Sequence, residues 1–133
     1  VSIHTPATTE TKHILNKSDV ILINEGQFFP DLFNSVCELV DNNKIVHIAA
    51  LDGDFKRQEF GQVIKLLPMC DDYFKVKALC ATCKDGTHAP FSFRLSTEIE
   101  QISIGSDNYL PLCRKCYQNA SRQNISQNAE STF

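Results

Sequence analysis

Two Cys-x-x-Cys pairs, Cys80-Ala-Thr-Cys83 and Cys113-Arg-Lys-Cys116, constrain this chain more than any other feature. Each pair presents two sulfurs on one side of a tight turn, and two such turns complete a tetrahedron around Zn²⁺. Four protein ligands leave no open coordination position, so the site reads as structural. Residues 84–112 then form a large loop pinned at its base, and metal binding largely replaces a hydrophobic core in so small a lobe. Two disulfides or a redox pair are the competing readings. The chain opens without a secretory pattern of basic, apolar and small-residue blocks, which weighs toward metal. Cys37 and Cys70 stand alone among apolar neighbours and read as buried small hydrophobes.

Ahead of the cysteines the pattern is α/β. Val20 to Ile23 are four consecutive branched apolar residues, which suit a strand buried on both faces, as in a parallel sheet. Asn24-Glu25 follows at once, with Gly26 as the break. Ligands of open α/β sheets lie at the carboxyl ends of strands, so Glu25 stands where chemistry is usually done. The plainer reading is that Asn24 and Glu25 only end a strand and begin a turn. Pro30 suits the first turn of a helix. Leu32, Phe33, Val36, Cys37 and Val40 recur at helical spacing to face the sheet, and Asp41-Asn42-Asn43 ends the helix. Lys44 to Leu51 is a second apolar strand, giving a parallel right-handed crossover. His47 within it reads as a core histidine.

Asp52-Gly53-Asp54 again sets acids and a glycine after a strand. A short helix through Val63, Ile64 and Leu67 is expected to stop near Pro68, and Asp72 to Leu79 reads as a third sheet strand. Asp85-Gly86 is a turn signal. Ala89 to Leu95 reads as one hairpin arm, with Glu98 to Ile104 as the other. Val1 to Lys17 is polar and threonine-rich, a loop or weak edge in which His4 and His13 are solvated. The expected division is an α/β domain over 1–79, a zinc lobe over 80–117 and a disordered tail over 118–133 rich in Asn, Gln and Ser.

A length of 133 residues suits one ordinary domain, and 42% hydrophobic residues supply a core. No apolar run approaches the about 20 residues that span a bilayer. Net charge is −3 with no basic tract, which disfavours nucleic acid as a partner. Met69 is the sole methionine and the chain opens on Val1, so the sequence is expected to continue upstream. Gly26, Gly53, Gly61, Gly86 and Gly105 fit no Gly-x-x-x-x-Gly-Lys-Ser/Thr cradle. Either the chain binds no nucleoside triphosphate or its phosphate loop lies before Val1.

Several motifs in order resemble the type II thymidine kinases: Glu25-Gly-Gln-Phe-Phe-Pro-Asp31, Ala49-Ala-Leu-Asp-Gly-Asp-Phe55, Cys80-x-x-Cys83, Arg94-Leu95, and Tyr109 followed by Cys113-Arg-Lys-Cys-Tyr117. The resemblance covers residues 19 to 117. It implies a parallel-sheet P-loop (RecA-like) α/β domain, lacking its N-terminal part here, plus a small zinc-binding lobe whose lasso loop closes over the nucleoside. By the same resemblance the activity is ATP-dependent phosphorylation of thymidine to dTMP in nucleotide salvage. Glu25 matches the base that takes the 5′-hydroxyl proton. Phe28, Leu51, Phe55 and Phe60 match positions around thymine and deoxyribose, although without the family plain core packing is the favoured reading for all four. Ser92, Gln101, Ile102, Ser103, Ile104, Gly105 and Tyr109 match the lasso. Asn24 and Gln27 fall at the nucleotide and Mg²⁺ site.

Two positions depart from the family pattern. Asn24 stands where an aspartate normally helps hold the Mg²⁺ water shell, and its neutral amide lacks the charge that favours a divalent cation. Ser106 replaces the second glycine of a pair. The resemblance further implies Mg²⁺ with ATP and a homotetramer beside the structural Zn²⁺; reduced thiolates fit a cytoplasmic location, and charge and hydropathy point to no nucleic-acid or membrane partner. Two other readings stay open: a non-catalytic zinc-ribbon binding module, and a recombinase-type P-loop ATPase with Asn24-Glu25 ending its Walker B strand.

Overall fold

The computed structural model describes residues 2–3, 9–96, 100–102 and 108–130. The chain divides into two compact units, Val1–Gly53 with Glu59–Tyr73, and Asp54–Gln58 with Phe74–Phe133. In the first, strands β1 (Ser2–Ile3), β2 (Val20–Asn24) and β3 (Ile45–Ala49) form a parallel sheet in the order β1-β2-β3. Strand β2 is central, with Leu22 beside Ser2 on one edge and His47 on the other. Its β-branched residues suit a pleated surface.

Helices α1 (Thr9–Lys17) and α2 (Leu32–Asp41) and a 3-10 helix (Val63–Met69) accompany the sheet. Their Leu15, Leu32, Val36 and Leu66 bury Ile21 and Ile23 in one cluster, with Phe33, Val46 and Ile48 packed against it. Helix α2 ends as its asparagines predict. Asn43 is left-handed at φ 58, its N–H donates to the Val40 carbonyl (2.9 Å), and the Lys44 N–H donates to that of Leu39 (3.0 Å). Those two bonds are a Schellman cap.

Several expectations need correction here. Strand β2 is buried on one face only: Ile21 and Ile23 face the core, while Val20 and Leu22 are about half exposed. Successive side chains of a strand point to opposite faces, and the cluster covers one of them. His47 falls on the open face and is exposed, not a core histidine. Cys37 is half-buried and Cys70 exposed, so neither is a buried hydrophobe. The threonine-rich N-terminal stretch supplies the two-residue edge strand β1, in keeping with the weak-edge reading, but also the helix α1. Residues 71–79 are exposed throughout and add no strand to this sheet.

In the second unit β4 (Ala78–Leu79) pairs antiparallel with β5 (His88–Ala89). Gly86 at φ 90 makes the intervening turn, where Asp85 Oδ1 accepts the Thr87 N–H. Only the end of the expected third strand is used, because Cys80 draws the chain into this hairpin through its N–H bond to the Thr87 carbonyl (2.8 Å). Strand β6 (Phe91–Arg94) pairs antiparallel with β7 (Tyr109–Leu112), Phe91 opposite Leu112 and Arg94 opposite Tyr109. The partner arm is therefore Tyr109–Leu112 and not Glu98–Ile104, of which residues 98, 99, 103 and 104 lie outside the described residues. The cysteine pair that follows Leu112 must return to the first pair, and that return sets the register.

Helix α3 (Arg114–Glu130) starts inside the second cysteine pair and runs through residues read from sequence as a disordered tail. Its first turn is anchored by the Tyr117 N–H on the Cys113 carbonyl and by the buried Tyr117 ring between Phe91 and Phe93. Once a turn is nucleated, each added residue gains a hydrogen bond at little extra cost. Among the described residues no helix is long and apolar enough to cross a membrane.

Ile21 is fully buried. Ile21→Ala should therefore destabilise the first unit by about 2–5 kcal/mol, read as a lower denaturant midpoint.

Candidate functional site

Glu25 follows the last residue of the central strand, where Asn24 pairs with Ala49. Its backbone is left-handed, φ 55 and ψ 43. For a residue other than glycine that conformation costs roughly 1–3 kcal/mol and persists only where its surroundings impose it. Next comes a 3-10 turn, Gly26–Phe28, closed by the Phe28 N–H on the Glu25 carbonyl (3.1 Å). Gly26 lets that turn pass close to β3: a Cβ there would lie 3.0 Å from Ile48 Cγ2.

The Glu25 carboxylate is exposed, and its Oε2 accepts Gln27 Nε2 at 2.5 Å. Gln27 itself is buried, and its Oε1 accepts the Leu51 N–H at 3.0 Å. Phe28 is half exposed and meets the buried Phe60 edge-on, with centroids 5.6 Å apart. Leu51 is 47% exposed, so its side chain is not core. Asn24 is exposed and offers a neutral amide. The first unit thus links Asn24, Glu25, Gln27, Phe28, Leu51 and Phe60 around one strand end.

The second unit gathers Phe55, Gln101 and Tyr109 about one cation. Arg94 is 3% exposed, and its guanidinium lies 3.7 Å from the centre of the Phe55 ring. It donates to the Tyr109 hydroxyl (3.1 and 2.5 Å), to the Gln101 carbonyl (3.1 Å) and to the Glu100 carbonyl. The planar fork of arginine fits several fixed acceptors at once. Asp54, also buried, accepts the N–H groups of Lys56 (2.8 Å) and Gln58 (2.9 Å) on Oδ1 and Gln101 Nε2 (3.0 Å) on Oδ2. The Tyr117 hydroxyl donates to the Phe55 carbonyl (2.5 Å), and Arg57 lies over the Tyr117 ring. Ser92 is partly buried in β6 opposite Pro111, and Ile102 is exposed. Ser103, Ile104 and Gly105 lie outside the described residues.

Arg94 and Asp54 are the residues whose work the sequence did not disclose. A signal existed for the first, an arginine closing the otherwise apolar alternation Phe91-Ser-Phe-Arg. Asp54 had only the ambiguous Asp-Gly-Asp turn.

Cys80, Cys83, Cys113 and Cys116 bring their sulfurs within 4.8 Å of one another. Cys83 Sγ lies 3.9 Å from that of Cys113 and 3.6 Å from that of Cys116. Sulfurs at the corners of a tetrahedron with 2.3 Å metal bonds stand about 3.8 Å apart, whereas a disulfide closes to about 2.0 Å. All four thiols are free, which sets the disulfide reading aside, and four soft donors in that geometry fit a metal ion. The Cys113 N–H donating to Cys80 Sγ (3.3 Å) draws that thiol down to about 6. Hydrogen bonding with Cys113 pushes Cys116 up to about 12.

Residues 2–117 match the family described as thymidine kinase. This chain belongs to that family. It is 42% identical to the thymidine kinase of raccoon poxvirus over 123 residues, 87% of this chain and 68% of the relative. With thymidine kinase a of Arabidopsis thaliana the identity is 43% over 104 residues, 77% of this chain and 43% of the relative. For the monkeypox virus thymidine kinase the figures are 44% over 99 residues, 74% and 55%. The chain thus spans about half the length of the latter two relatives.

Metal uptake should release protons, because a Cys116 thiol near 12 is protonated at neutral pH and must ionise to bind. Affinity therefore rises with pH and falls in acid, measurable in an indicator-buffered titration, and Cys83→Ser should lower the metal content. Arg94→Lys should cost about 2 kcal/mol or more of stability through lost charged hydrogen bonds and ring stacking, read from the denaturant midpoint.

Proposed function

We propose that this chain carries the proton-accepting and thymidine-reading parts of an ATP-dependent thymidine kinase, which transfers the γ-phosphoryl group to the 5′-hydroxyl of thymidine. One observation carries the reading: in a chain of this family, a carboxylate at the end of the central parallel strand is held in a left-handed backbone conformation. Strain of that kind at a strand's ligand-facing end is characteristic of functional sites. Phosphoryl transfer needs an oriented nucleophile and charge neutralisation more than covalent help. In the reaction the 5′-oxygen attacks the γ-phosphorus as its proton passes to Glu25. The bond from the γ-phosphorus to the β,γ-bridging oxygen breaks, and its electrons leave on ADP.

The first unit is read as part of a P-loop (RecA-like) domain. Phe28, Leu51 and Phe60 are its apolar contacts to the nucleoside, and Asn24 would hold a water of Mg²⁺ arriving with ATP. Phe55, in the second unit, is read as a further apolar contact to the nucleoside, and the family resemblance assigns Ser92, Tyr109 and the segment Gln101, Ile102, Ser103, Ile104 and Gly105 to the reading loop. The Arg94 fork supports that assignment, because it fixes backbone carbonyls of the loop, and fixed acceptors are what recognition of a pyrimidine edge needs. The four cysteines hold Zn²⁺ as a staple for the loop's base. Homotetrameric assembly, a cytoplasmic location and a role in nucleotide salvage complete the reading, on the strength of the family.

Glu25→Gln in the intact protein should lower kcat by about 10²–10⁴-fold, the usual worth of a general base, with little change in thymidine KM. Transfer of labelled phosphate from ATP to thymidine measures both. Turnover like the wild type would sink the assignment.

A further inference from the structure

Gln27 is among the least exposed polar side chains described, although it lies two residues from the exposed Glu25. Both ends of its amide are engaged. The Leu51 N–H can only donate, so it fixes Oε1 toward itself, and the NH₂ end must then face the Glu25 carboxylate. Its backbone is held as well. Gly61, at φ 60, passes so close that an added Cβ would lie 2.4 Å from the Gln27 carbonyl oxygen and 3.2 Å from its Cα. Only glycine tolerates both that conformation and that approach.

We propose that Gln27 is a positioning residue, which grips one carboxylate oxygen of Glu25 and so aims the other at the proton it takes. This rests on Glu25 acting as the base. The amide end that faces Glu25 is tied to Oε2, leaving Oε1 as the oxygen that accepts the hydroxyl proton. Carboxylate rotamers are otherwise loosely set in an exposed side chain, and a misplacement of about 1 Å at a reacting group can cost about 10²-fold in rate. The chain from Gly61 through the Gln27 backbone and the Leu51 N–H to the Glu25 carboxylate turns a flexible acid into a directed one. Gln27 therefore acts on the carboxylate and not on the metal bound with ATP, the place its sequence position suggests.

The test is a double-mutant cycle in the intact protein, with steady-state phosphorylation of thymidine and thermal unfolding measured on each variant. Gln27→Met keeps the volume and removes both hydrogen bonds. It should lower kcat about 10–100-fold with KM for thymidine and ATP nearly unchanged, and should have little further effect once Glu25→Ala is present. Gln27→Asn keeps a polar amide but is one methylene too short to reach both partners, and it should show the same kcat-selective loss. An equal loss from Gln27→Met in both backgrounds, or a rise in ATP KM in place of the kcat loss, overturns the positioning role while leaving Glu25 as base. Full turnover by Glu25→Ala alone overturns the base assignment instead.

Discussion

Hydrogen bonding on both edges of β2 is the constraint on which the candidate site depends. A strand paired with β1 and with β3 cannot slide by one residue without turning Ile21 and Ile23 out of the core. That register fixes where the strand ends, and hence where Asn24 stops and Glu25 begins. The chain turns immediately, through a left-handed residue and a 3-10 turn pressed against β3 at Gly26, so the carboxylate stays at the sheet's end. Residues far apart in sequence then converge on this turn. Leu51 contributes an N–H, Gly61 an absence of side chain, and Phe60 a ring edge-on to Phe28.

The second unit is organised on a different principle. Its buried cluster includes two of the cysteines, Cys80 and Cys113, with Ala89, Phe93, Leu112 and Tyr117. So small a set of apolar residues makes metal coordination by the four sulfurs a natural source of stability. Around it, charged side chains do what apolar packing would do in a larger lobe. Arg94 holds loop carbonyls and stacks on Phe55, Asp54 closes its own turn and holds Gln101, and Arg57 covers Tyr117. Hydrogen-bonded charges specify one arrangement more sharply than apolar contacts, since each partner left unmade is costly.

Family membership and the four-cysteine cluster were legible in sequence because both rest on local motifs. Strand β2, helix α2 with its asparagine cap, and strand β3 were legible for a similar reason, namely strong periodicity bounded by turn residues. The misreadings share a cause. Residues 72–77 have strand propensity but are exposed and belong to no strand, and the sequence around Glu98 is hairpin-like while β6 pairs with Tyr109–Leu112 instead. Propensity says what a segment can do; pairing depends on which partner is within reach. The polar composition after Tyr117 favours disorder, whereas the anchored turn that starts α3 lets the helix run on through it.

Sequence alone determined which atoms are available: one carboxylate after an apolar strand, four thiols in two knuckles, and aromatic rings at spaced positions. Those are properties of residue type and of spacing within a few positions, and they survive any uncertainty in the fold. Only the tertiary structure decided that Gln27 grips Glu25 while accepting from Leu51, that Gly61 must be bare, and that Arg94 is a buried clamp. Which partners meet, and the burial that gives their contacts strength, are set by how the chain closes on itself; local pattern hinted at the arginine but at none of these pairings.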